Sequence, residues 1–63
     1  MEVTKMVIYM ARKIKEAHDE QGLLTAQNIY RTLFVTTQFY AMYKADVDMV
    51  LVTDGYGDCV VTE

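Results

Sequence analysis

The chain has 63 residues, of which 52% are hydrophobic and 24% charged, with no Pro, no Trp and three Gly. This is the composition of one small folded domain over residues 1–63, and it excludes a disordered tail. The net charge of −3 is a poor basis for nucleic-acid affinity, and the lone Cys59 and lone His18 cannot supply an internal disulfide or a four-ligand zinc site.

Residues 3–21 carry the clearest periodicity. Val3, Met6, Val7, Met10, Ile14 and Ala17 fall on one stripe at helical spacing. Arg12 and Glu16, and Lys15 and Asp19, are opposite charges four apart, which supports the same helix. Gly22 is a C-terminal stop. Leu23-Leu24 then leads to Thr25, a good N-cap residue, and Ala26, Ile29, Tyr30 and Leu33 follow at i, i+3, i+4 and i+7. The spacing predicts a second helix over about residues 26–34.

Residues 35–45 read two ways. Val35-Thr36-Thr37 is β-branched, and Thr, Val, Phe and Tyr suit a strand. Thr36 or Thr37 could equally cap a third helix with Val35, Phe39, Met42 and Tyr43 facing inward. A separate third helix is the preferred reading. Met49-Val50-Leu51-Val52-Thr53 and Cys59-Val60-Val61-Thr62 predict two strands joined by the glycine-containing loop Asp54-Gly55-Tyr56-Gly57-Asp58, a β-hairpin.

The expected fold is therefore α+β, with three helices and a C-terminal hairpin. The alternative is two helices with a three-stranded antiparallel sheet that uses residues 33–43 as its first strand. The expected core is Val7, Met10, Ile14, Leu24, Ile29, Leu33, Phe39, Leu51 and Val60. This element order resembles winged helix-turn-helix domains. The resemblance implies that residues 35–45 are a recognition helix and that the hairpin is the wing. Thr37, Gln38, Tyr40 and Lys44 would then face DNA, with Arg12 and Lys13 on phosphates. The wing is acidic where DNA-binding wings are commonly basic, and no Gly marks the turn around Phe34-Val35.

No catalytic pattern survives inspection. Asp46-Val47-Asp48-Met49-Val50-Leu51 has Val at the fifth position and Leu where an EF-hand loop needs Gly. Gly55-Tyr56-Gly57 lacks the strand-to-helix setting of a dinucleotide loop. Cys59 follows Asp58, which raises rather than lowers a thiol pKa, so a Cys59–His18 nucleophile and base is not expected. Neither an enzyme, a cofactor nor a metal is expected.

A core of this size rarely contributes more than about 3–5 kcal/mol, and small domains commonly lean on a partner. The five Met and five Tyr suit adaptable contact surfaces. Ile8 lies opposite the apolar stripe, flanked by Lys5, Tyr9, Arg12 and Lys15, a mixed apolar and basic patch. The expected function is a small non-enzymatic regulatory or interaction module that self-associates as a homodimer or docks on a larger protein. Its contact residues would be Lys5, Ile8, Tyr9, Arg12, Tyr40 and Tyr56, and Ile8→Asp should break such a dimer. The DNA-binding regulator is the alternative. The first residues lack a signal-peptide pattern, and the longest apolar run, Met6 to Ala11, is far short of the ~20 residues of a membrane span. With a single unpaired cysteine, the expected location is the cytoplasm.

Overall fold

The computed structural model describes residues 4–62, and these are mostly helical, with no strand among them. Among them are three helices, α1 (Lys5–Gln21), α2 (Leu23–Arg31) and α3 (Lys44–Thr53), with a π turn and a 3₁₀ turn between α2 and α3 and a second 3₁₀ turn after α3. The expected α+β class, hairpin and sheet are thus overturned, and so is the alternative with a three-stranded sheet. Val3, placed on the first stripe, lies outside the described residues.

The first helix follows its periodicity. Thr4 caps it, its hydroxyl oxygen accepting from the Val7 amide at 3.3 Å. Val7, Met10, Ala11, Ile14 and Ala17 are its buried side. Gly22 ends it at φ +99° and ψ 171°, a conformation essentially reserved for glycine. The same glycine starts α2, so only one residue separates the helices. Thr25 is therefore inside the first turn of α2 and not its cap.

The buried stripe of α2 is Ala26 and Tyr30, continued by Phe34 in the π-helical turn Thr32–Thr36. Leu24 stands about 200° around the helix from Ala26, which explains why it is 76% exposed rather than in the core. The third helix expected over 35–45 is not formed. The π turn ends at Thr37, Phe39 and Tyr40 form a bend, and a 3₁₀ turn over Ala41–Tyr43 leads into α3. Phe39 is 79% exposed and packs edge-to-face on Tyr40, which turns inward in its place. Met42 likewise points outward, while Val35 and Tyr43 pack against the core as expected.

The segment expected as the first hairpin strand is the last half of α3. Tyr43, Val47, Val50 and Leu51 recur at i, i+4, i+7 and i+8. Val47 and Leu51 are fully buried, with Tyr43 and Val50 packed alongside. This packing outweighs the β preference of Val and Thr. The Asp54-Gly55 pair closes the helix instead of turning a hairpin. Gly55, at φ +89°, lets the Tyr56 amide donate back to the Leu51 carbonyl at 2.7 Å and its own amide donate to Val52 at 3.2 Å. That is a Schellman closure, satisfying carbonyls at the helix end. A 3₁₀ turn over Gly57–Cys59 then buries Cys59 completely, Val60 is extended, and Val60 and Val61 pack against the core.

One core results. Of the expected members, Val7, Met10, Ile14 and Leu51 are buried, and Ile29, Leu33 and Val60 pack against its edge. Tyr30 is its largest fully buried side chain, and its hydroxyl donates to the Asp48 carboxylate. Lys44 completes the arrangement, with Nζ 3.0 Å from Asp48 and 5.8 Å from the Tyr30 ring centroid. Among the described residues no buried side-chain polar atom lacks a hydrogen-bond partner.

Candidate functional site

Because α1 outlasts α2 and is joined to it by one glycine, one flank of α1 has no third helix against it. That flank is the row Lys5, Tyr9, Lys13, Glu16, Glu20, with Met6, Met10 and Ala17 on the row beside it. Facing them are Ile29 of α2, Leu33 of the π turn and Tyr40 of the bend. Together they line an open groove of about 720 Å³.

The groove has an apolar floor and a charged rim. Met10 and Ala17 are 3% and 5% exposed and form its base, and Ile29 and Leu33 are half-buried beside them. Met6 (40% exposed) and Tyr9 (57%) stand on the lip. Lys13 lies over the Tyr9 ring, 5.5 Å from its centroid. The rim charges are sorted along the axis, with Lys5 and Lys13 toward the start of α1 and Glu16 and Glu20 toward its end.

Three of the six expected contact residues, Lys5, Tyr9 and Tyr40, therefore share this groove. Ile8 and Arg12 do not line it; Ile8 is 45% exposed on the adjoining face of α1. Lys15, expected beside Ile8, is drawn away to Asp54 at 2.6 Å. Tyr56 is not the exposed tip of a hairpin. It is half-buried, and its hydroxyl donates to both Asp19 oxygens at 2.9 and 3.0 Å. His18 meets the Tyr56 ring edge-on at 5.1 Å, with Nδ1 3.3 Å from Asp19. These contacts hold the Asp19 carboxyl below its ordinary value, the Tyr56 bond first and the His18 bond second. They tie the C-terminal turn to α1.

The residues expected to read DNA are divided. Thr37 sits in the bend, where its hydroxyl accepts from the Phe39 amide at 3.2 Å. Gln38 is exposed in the same bend, Tyr40 turns to the groove, and Lys44 is bound to Asp48 at the start of α3. They do not share one helix face, and no hairpin is formed among the described residues to act as a wing. Arg12 and Lys13 are exposed on α1.

Cys59 is buried, and burial first, then the neighbouring Asp58 and Asp19 charges, pushes its thiol up. Such a thiol is a packing group and not a nucleophile. Among the described residues no group of three or more His, Cys, Asp or Glu side chains is placed to hold a metal ion. No described helix is long and apolar enough to cross a membrane.

Sequence reasoning assigned Met10, Ile29 and Leu33 wholly to the core and left Met6 on the buried stripe. That they also line a groove follows from how α2 leaves α1, which no spacing in the chain encodes. Comparison with protein families, with curated proteins and with solved structures finds no match.

Proposed function

We propose that the protein is a non-enzymatic regulatory module that acts through protein–protein contact, and that the α1–α2 groove is its contact surface. The observation that carries this reading is the groove itself. It couples a base of Met, Ala, Ile and Leu side chains to two lip residues, Met6 and Tyr9, that are exposed in the isolated chain. Met and Tyr are the side chains that adapt to and anchor partner surfaces. A concave apolar strip between helices, rimmed by charge, suits an amphipathic segment laid along it. A small core gains stability when such a strip is covered.

The test is a photo-cross-linking amino acid placed at position 9, in the groove, and at Thr53, exposed on α3 away from it. In the cells that make the protein, position 9 should give a discrete covalent adduct and position 53 none. Equal labelling at both positions, or none at position 9, would overturn the reading. No observation favours the DNA reading in its place.

A further inference from the structure

We infer that the occupant of the groove is a second copy of this chain, with the two α1 helices packed antiparallel about a twofold axis. The inference rests on the reading of the groove as a contact surface and names its partner.

The order of charge along α1 points to this occupant. Along the exposed row of α1 the sequence is Lys5, Tyr9, Lys13, Glu16, Glu20, basic first and acidic last. A twofold axis across a helix reverses its direction. Laid antiparallel, each Lys5 meets the other chain's Glu20, and this pairing occurs twice. Laid parallel, Lys would face Lys and Glu would face Glu. The ends of the row are thus complementary to each other in one orientation only, which is what an isologous interface requires.

Size supports the same register. In helix packing a side chain enters a hole made by four residues at i, i+3, i+4 and i+7 of the facing helix. Lys13, Glu16, Ala17 and Glu20 form such a hole. Ala17, only 5% exposed, leaves it open at its base, while Tyr9 projects from the same face and is 57% exposed. Placing Tyr9 over this hole and pairing Lys5 with Glu20 demand the same register to within one residue. The Tyr9 hydroxyl then lies among the partner's acidic groups and can donate to one of them. The two Lys13 side chains fall beside each other at the axis, a like-charge approach offset by the Glu16 of each helix that flanks them. The two exposed lip residues of each copy, Met6 and Tyr9, cover the base of the other's groove.

The contact is a single helix pair plus its flanks, at the lower end of specific interfaces. The expected affinity is on the order of micromolar. Sedimentation equilibrium of the purified chain, up to about 1 mM, tests it. The wild type should be a dimer. Lys5→Glu and Glu20→Lys each place like charges together twice, and each should weaken the dimer about tenfold. The double variant restores opposite charges in the antiparallel arrangement alone, so it should return to near wild-type affinity. Both residues are exposed, and far-UV circular dichroism confirms that the variants keep their helices.

A wild-type monomer at the highest concentration overturns the inference, as does a dimer indifferent to both single substitutions or not rescued by the double one. A monomer whose position 9 still cross-links a different protein overturns self-pairing and leaves the interaction reading standing. A monomer with no position-9 adduct overturns both.

Discussion

Removing the Tyr30 hydroxyl isolates one strong interaction in the core. Tyr30 is fully buried, and its ring packs on Phe34 with centroids 5.0 Å apart. Tyr30→Phe keeps that packing and deletes only the bond to Asp48. A hydrogen bond to a charged acceptor contributes about 1.5–3 kcal/mol. Asp48 retains Lys44 at 3.0 Å, and its side chain is 26% exposed, so water can take the vacated position. The low end applies, a loss of about 1.5 kcal/mol. For a domain this small that corresponds to a fall in Tm of about 6–12 °C. Urea unfolding at neutral pH, followed by circular dichroism, measures it. A second readout is pH. Burial first, and the Asp48 bond second, push the Tyr30 phenol up to about 12 from an ordinary value of 10.0. The folded state thus favours the neutral phenol. Its stabilisation is complete below pH 10.0 and is lost as pH rises toward about 12. Wild type should lose stability across that window more steeply than Tyr30→Phe. A stability change under about 0.5 kcal/mol, or parallel alkaline limbs, would refute the coupling of Tyr30 to Asp48.

Three other outcomes follow from the same geometry. Gly22→Ala meets nothing within 4 Å, yet φ +99° strains any side chain, so it should cost about 1–3 kcal/mol in thermal unfolding. Gly57→Ala, whose added carbon would sit 3.6 Å from Val52, should stay within about 0.5 kcal/mol. Cys59 should resist alkylation under native conditions, reacting at least about a hundredfold more slowly than in urea, since reaction awaits opening of a core worth a few kcal/mol. The lowered Asp19 carboxyl stabilises the folded state above its ordinary range and loses that contribution as pH falls through its folded value. Tyr56→Phe should therefore lower stability at neutral pH and flatten its loss as pH falls below 3.8, read by urea unfolding at a series of pH values.

The legible and illegible parts of this chain have identifiable causes. The stripe Val7, Met10, Ile14, Ala17 repeats at helical spacing and is closed by Gly22, so α1 could be read directly. The C-terminal half misled because two signals are ambiguous. Asp54-Gly55 supplies a positive-φ glycine, which a hairpin turn and a Schellman closure both need. Val50-Leu51-Val52-Thr53 has β propensity, but the recurrence of Tyr43, Val47, Val50 and Leu51 on one helix face decides its state through burial. Residues 35–45 carry no capping or punctuating residue strong enough to choose between one helix and one strand, and they form neither, passing from the π turn through the bend and a 3₁₀ turn into α3. At the site, Lys5 and Tyr9 were legible because they stand four apart on an exposed flank. Tyr40 was expected as a contact residue without its setting. The groove needed the path of α2 and the bend at Phe39-Tyr40, which are products of packing.

The central claim is that the α1–α2 groove is covered when the protein works. Hydroxyl-radical footprinting tests it, comparing the chain at its working concentration in the extract of the cells that make it with the purified chain at high dilution. Met6 on the groove lip and Met49 on α3 are 40% and 49% exposed, so Met49 is an internal control of similar accessibility. The account predicts that Met6 and Tyr9 are protected in the extract while Met49 oxidises equally in both samples. Met6 and Tyr9 oxidised to the same extent in both would contradict it.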